Sequence, residues 1–172
     1  SLKSGNRAIF TDTTFDGNTS LATKNSDGDR FGGGAVFVNA CPLELHNVTM
    51  TKNNSSYNGG AIYITNGTDL LMLDSTLTEN TASGSGGAVY SAGSKITMFD
   101  DVVNKNQAAS GGAMYLYTDA NSYICRSEFN DNTSTSNGGA FYVYTGGEKT
   151  FLHSCSVSGN TSAKYGGGFY VS

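Results

Sequence analysis

The sequence predicts an all-β fold: a single-stranded right-handed parallel β-helix (β-solenoid) of about six coils of 25–28 residues. Three observations predict it. A glycine-rich word recurs through the chain, an apolar-x-x-Asn word recurs in phase with it, and the segments between them alternate apolar and polar residues with a period of two.

The glycine word runs Gly33–Val38, Gly59–Ile64, Gly86–Ser91, Gly111–Leu116, Gly138–Val143 and Gly166–Val171, and the alanines at its third position in five copies, 35, 61, 88, 113 and 140, lie 25 to 27 residues apart. The second word reads Phe15/Asn18, Met50/Asn53, Leu77/Asn80, Val103/Asn106, Phe129/Asn132 and Val157/Asn160. Short segments rich in β-branched and aromatic residues, separated by Asn-Gly, Ala-Gly-Ser and Gly-Gly turns, exclude a helical repeat of this length. Each unit is one coil, and because chain direction repeats, neighbouring strands are parallel and stack about 4.8 Å apart.

Two columns must face inward. Phe10, Leu45, Met72, Met98, Ile124 and Leu152 lie five residues before Phe15, Met50, Leu77, Val103, Phe129 and Val157. Five is odd, so strict alternation cannot connect them, and the backbone must bend once between. The polar column Asp12, Asn47, Asp74, Asp100, Arg126 and Ser154 is the expected outward corner. In the glycine word, Met114 and Leu116 point in and Tyr115 and Tyr117 out. The glycine pairs suit a corner that needs φ > 0 or a close approach of the next coil.

Asn18, Asn53, Asn80, Asn106, Asn132 and Asn160 are expected to form an internal ladder, each amide bonding its own turn and the asparagine above. Asn18, Asn132 and Asn160 also match the glycosylation triplet, but a buried amide is closed to glycan transfer. Glycosylation is expected instead at Asn66, in an exposed turn, and less readily at Asn47 and Asn54.

These words resemble the glycine–glycine–alanine–aliphatic and phenylalanine-x-x-asparagine repeats of the chlamydial polymorphic outer-membrane proteins and related right-handed parallel β-helix surface proteins. The resemblance runs from Phe15 to Val171, although the first position of the second word is often Met, Leu or Val. It implies a secreted passenger, extracellular or at the cell surface, used for adhesion or surface structure.

Composition narrows the rest. With 23 glycines, 1 proline, no tryptophan and 14% charged residues, the chain is neither collagenous nor a solvated disordered tail. A net charge of −4 without a Lys/Arg cluster excludes nucleic acid as a partner, and no apolar run approaches the roughly 18 residues of a membrane span. Residues 1–172 read as a single β-solenoid domain, a segment of a longer repeat array, with 19–32 as an inserted loop. The loop's Asp27 and Asp29 offer too few ligands for calcium.

Phe37, Tyr63, Tyr90, Tyr115, Tyr142 and Tyr170 form an expected outward aromatic row, widened by Tyr117 and Tyr144. Such a row stabilises a parallel sheet, and it also offers a contact face for sugar rings, another protein or another filament. A non-enzymatic surface module is therefore expected, either an adhesin passenger or a fibre subunit. Its partners are other copies or flanking coils stacking end to end, and a host-surface protein or glycan. The alternative is a β-helix that binds or cleaves polysaccharide. Asp74, Asp100, Asp101 and Arg126 are its best candidates, grouped on an exposed face. No cofactor or metal is expected: His46 and His153 share a column four coils apart, and the offset of Cys125 and Cys155 puts them beyond disulfide reach.

Overall fold

The computed structural model describes residues 7–21, 31–118, 121–145 and 149–172. Most of the inserted loop, residues 22–30 with Asp27 and Asp29, lies outside the described residues. Among the described residues the chain forms four six-stranded sheets, each ordered strictly by coil, and all ladders are parallel.

The first sheet comprises Ala8–Thr11, Leu43–His46, Asp69–Leu73, Lys95–Phe99, Ser122–Cys125 and Thr150–His153. The second comprises Thr14–Asp16, Thr49–Thr51, Thr76–Thr78, Val102–Asn104, Glu128–Asn130 and Ser156–Ser158. The third has two-residue strands, from Thr19–Ser20 in coil 1 to Thr161–Ser162 in coil 6. The fourth carries the last four residues of the glycine word, from Val36–Asn39 to Phe169–Val171.

The register is the one the periodicity predicts. Phe10 pairs with Leu45, Leu45 with Met72, Met72 with Met98, Met98 with Ile124 and Ile124 with Leu152. Phe15, Met50, Leu77 and Val103 stack likewise, with Phe129 over Val157. Together with the inward residues of the fourth sheet, such as Ile62, Val89, Met114 and Phe141, they form one continuous buried core. Each fully buried apolar side chain contributes about 1.5–3 kcal/mol, and only stacking buries it.

Among the described residues, the corners between sheets turn on residues in the left-handed region. Asp12, Asn47, Asp74, Asp100, Arg126 and Ser154 have φ of 50 to 58° and join the first sheet to the second. The next corner uses Gly17, Lys52, Glu79, Lys105, Asp131 and Gly159, with φ of 54 to 66°. The third uses the first glycine of the glycine word in every coil, and the fourth Ala40, Asn66 and Gly93 in three coils. Asp and Asn tolerate this conformation better than most residues, which explains their share of the first corner.

The second glycine of the word serves a different purpose. A Cβ at Gly60, Gly87 or Gly112 would collide with the carbonyl oxygen of the corresponding glycine in the next coil, so the column is closed to any side chain.

Candidate contact face and structural ladders

The fourth sheet alternates strictly. Met114, Leu116, Phe141 and Val143 are buried, whereas Tyr115, Tyr117, Tyr142 and Tyr144 are on the outer side. Parallel register puts equivalent tyrosines directly over one another: Tyr63 over Tyr90, Tyr90 over Tyr115, and Tyr115 over Tyr142. Their ring centroids are 4.8, 5.2 and 4.5 Å apart with planes within 26° of parallel. Tyr170 continues the row at 4.8 Å with its ring tilted 48°, and Phe37 begins it, 5.5 Å from Tyr63. Beside it Tyr117 and Tyr144 form a second stack at 4.9 Å, 45% and 43% exposed.

Two features depart from the sequence expectation. Tyr63 is only 7% exposed, because Phe31, near the C-terminal end of the inserted loop, packs edge-on against its ring at 5.9 Å. The outward row is therefore covered at that point. An interior ring also has both faces against its neighbours, so the row presents ring edges and hydroxyls to solvent rather than open faces for a sugar ring. Burial pushes the Tyr90 hydroxyl up to about 12, with Tyr63, Tyr57 and Tyr117 acting in the same direction. Tyr115 is raised for the same primary reason, with Tyr142 and Tyr90 next. Both stay protonated donors at neutral pH.

A second aromatic area escapes a reading centred on the glycine word. The outer face of the first sheet carries stacked Tyr123 and Phe151 at 4.9 Å, with the Lys95 ammonium 6.0 Å from the Tyr123 centroid. Parity reveals it, since Ile124 and Leu152 point inward.

The six asparagines are joined through side chains along the whole stack. Each Nδ2 donates to the Oδ1 of the next coil's asparagine, at 2.9 to 3.1 Å from Asn18 through Asn160. The second Nδ2 hydrogen reaches back to the previous coil, as in Asn80 to the Met50 carbonyl and Asn106 to the Leu77 carbonyl, both at 3.0 Å. The expected bond to the residue's own turn is thus replaced by bonds to both neighbours. Asn66 and Asn54 are exposed, and the Nδ2 of Asn66 donates to the Asn39 Oδ1 at 2.5 Å. Asn47 donates to the Asp12 carboxylate at 2.7 Å.

The acidic grouping is not one exposed cluster. Asp100 holds Arg126 in a two-point pair at 2.8 and 2.6 Å, and that guanidinium keeps its carboxyl below the usual range. Asp101 points inward and is 1% exposed, because it follows the corner rather than forming it. Cys41, Cys125 and Cys155 are thiols, and Cys125 pairs in register with His153, two residues from Cys155. Among the described residues no cluster of three His, Cys, Asp or Glu side chains could hold a metal ion, and no helix is long and apolar enough to cross a membrane.

The model of the right-handed beta helix region matches residues 1–126. The chain belongs to that family. The Chlamydia polymorphic membrane protein repeat matches residues 126–144 of this β-helix, the stretch holding Phe129, Asn132 and the fifth glycine word. The two matches point to a surface passenger of the autotransporter type. No curated protein and no solved structure matches the chain.

Proposed function

We propose that this β-helix is a non-enzymatic extracellular adhesin passenger whose tyrosine face engages a protein or glycan on another cell's surface. The observation that carries the reading is the row Tyr90, Tyr115 and Tyr142, in which stacking fixes the rings and leaves their edges and hydroxyls on the outer side. Rigid aromatic groups with a polar edge bind at low entropic cost. The polymorphic membrane protein repeat supports a surface location.

The test uses beads coated with the chain, applied to cultured epithelial cells. Wild-type beads should adhere. Beads carrying the triple variant Tyr90→Phe, Tyr115→Phe and Tyr142→Phe, which retains the stack but lacks the hydroxyls, should lose adhesion without a change in circular dichroism. Wild-type beads no more adherent than albumin-coated ones would overturn the reading. The parallel register also suits end-to-end stacking with other copies or flanking coils, which sedimentation velocity would register as concentration-dependent growth. New reducing ends or unsaturated products from pectins would instead favour the polysaccharide-cleaving alternative.

A further inference from the structure

The residue after each first corner forms an inward column, with Val48, Ser75, Asp101 and Ser127 in coils 2 to 5. Its serines each make the same pair of hydrogen bonds. The Ser75 hydroxyl accepts the Val48 N–H at 3.1 Å and donates to the Leu73 carbonyl, two residues back, at 2.9 Å. Ser127 accepts the Asp101 N–H at 3.1 Å and donates to the Cys125 carbonyl at 2.9 Å.

Asp101 occupies the same place. Its Oδ1 accepts the Ser75 N–H at 2.7 Å, while its buried Oδ2 has no partner. An ionised carboxylate has only acceptors, so it cannot supply the donation the serines make. Nor does a cation compensate it. On the first two sheets and their corners the ionisable groups are Asp69, Asp74 and Glu79 on coil 3; Lys95, Asp100 and Lys105 on its own coil; and Tyr123, Cys125, Arg126, Glu128 and Asp131 on coil 5. All lie at corners or outward positions, and Arg126 is engaged by Asp100.

We propose that Asp101 is a proton-operated latch: it is neutral in the folded rod, donates its Oδ2 proton to the Phe99 carbonyl as the serines do to theirs, and loosens the junction of coils 3 to 5 when that proton leaves to solvent. Burial pushes this carboxyl up to about 7, opposed by the Ser75 N–H and the nearby Phe99 backbone, with Asp74 and Asp100 adding to the rise. An aspartate in an unfolded chain titrates near 3.9, so between these values the folded rod holds a proton that the unfolded chain does not. The stabilisation is complete below about pH 4, is lost as pH rises to about 7, and changes no further above that. At about pH 5 the folded rod keeps this proton; at about pH 8 it has lost it.

Two measurements test this. Urea unfolding of the wild type, Asp101→Ser and Asp101→Asn is followed from pH 4.5 to 8. The unfolding constant of the wild type should rise about a hundredfold or more relative to both variants, whose side chains supply the missing donor without a charge. Parallel pH curves would overturn the latch. In the wild type, independently of how the variants fold, the carboxyl carbon resonance of Asp101 should titrate between about pH 6 and 8. A midpoint near the ordinary aspartate value would overturn it.

Discussion

Replacing Asn106 with alanine strikes the asparagine ladder at a fully buried rung. Its Oδ1 accepts the Asn80 backbone N–H at 2.9 Å and the Asn80 Nδ2–H at 3.0 Å, and its Nδ2 donates to the Leu77 carbonyl and the Asn132 Oδ1. Truncation leaves two donors of Asn80 and one carbonyl of Leu77 without these partners, whereas the Asn132 Oδ1 retains the Asn106 backbone N–H at 2.9 Å. At about 1–3 kcal/mol for each buried group left unmade, the loss is about 3–9 kcal/mol, against a total stability of about 5–15 kcal/mol for a typical domain. Asn18→Ala is the matched control. Asn18 is exposed and donates to the Asn53 Oδ1, which keeps the Asn18 backbone N–H, so the cost is under about 1 kcal/mol. Urea unfolding followed by far-ultraviolet circular dichroism reads both. Asn106→Asp retains the shape but replaces a donor with a second acceptor facing Asn132 and Leu77, and should be at least as damaging as alanine at pH 7. Equal midpoints for Asn106→Ala and Asn18→Ala would refute the view that side-chain amides carry the ladder.

The remaining predictions concern the corners. Gly112→Ala should cost about 3 kcal/mol or more in thermal melts, since no rotamer moves a Cβ away from the Gly139 carbonyl, whereas Gly93→Ala, with open space around it and φ of 71°, should cost only about 1–2 kcal/mol. Along the second corner Lys52, Glu79, Lys105 and Asp131 alternate in sign from coil to coil. Glu79→Lys would stack three lysines at steps of about 4.8 Å, lowering the urea midpoint in dilute buffer, with most of that loss disappearing near 1 M salt, where the screening length is about 3 Å.

Periodicity made the backbone readable because one register places every coil. The odd spacing of Phe10 and Phe15 demanded a bend, and the φ of 50° at Asp12 supplies it. The glycine word likewise announced both a left-handed corner and a tight approach. What could not be read lies between coils or within an insertion. Phe31 belongs to the end of the inserted loop, so nothing in the repeat aligns it with Tyr63. The sequence puts Asp100 at the outward corner and groups Asp101 beside it on the same exposed face, whereas the αL residue at 100 turns 101 inward. The alternating charges are 26 or 27 positions apart in the chain, invisible until the coils are stacked. The candidate contact face was legible as a row of tyrosines, but its covered faces follow from ring geometry, which composition does not encode.

The tyrosine row also makes the rod mechanically anisotropic. Its rings lie on one side with centroids already 4.5–5.2 Å apart, so curvature toward that side compresses groups in contact. Curvature away from it separates them and wets their faces. Bending is hardest in the plane containing this spine and easiest across it, so a sheared rod yields sideways with its aromatic edge still straight.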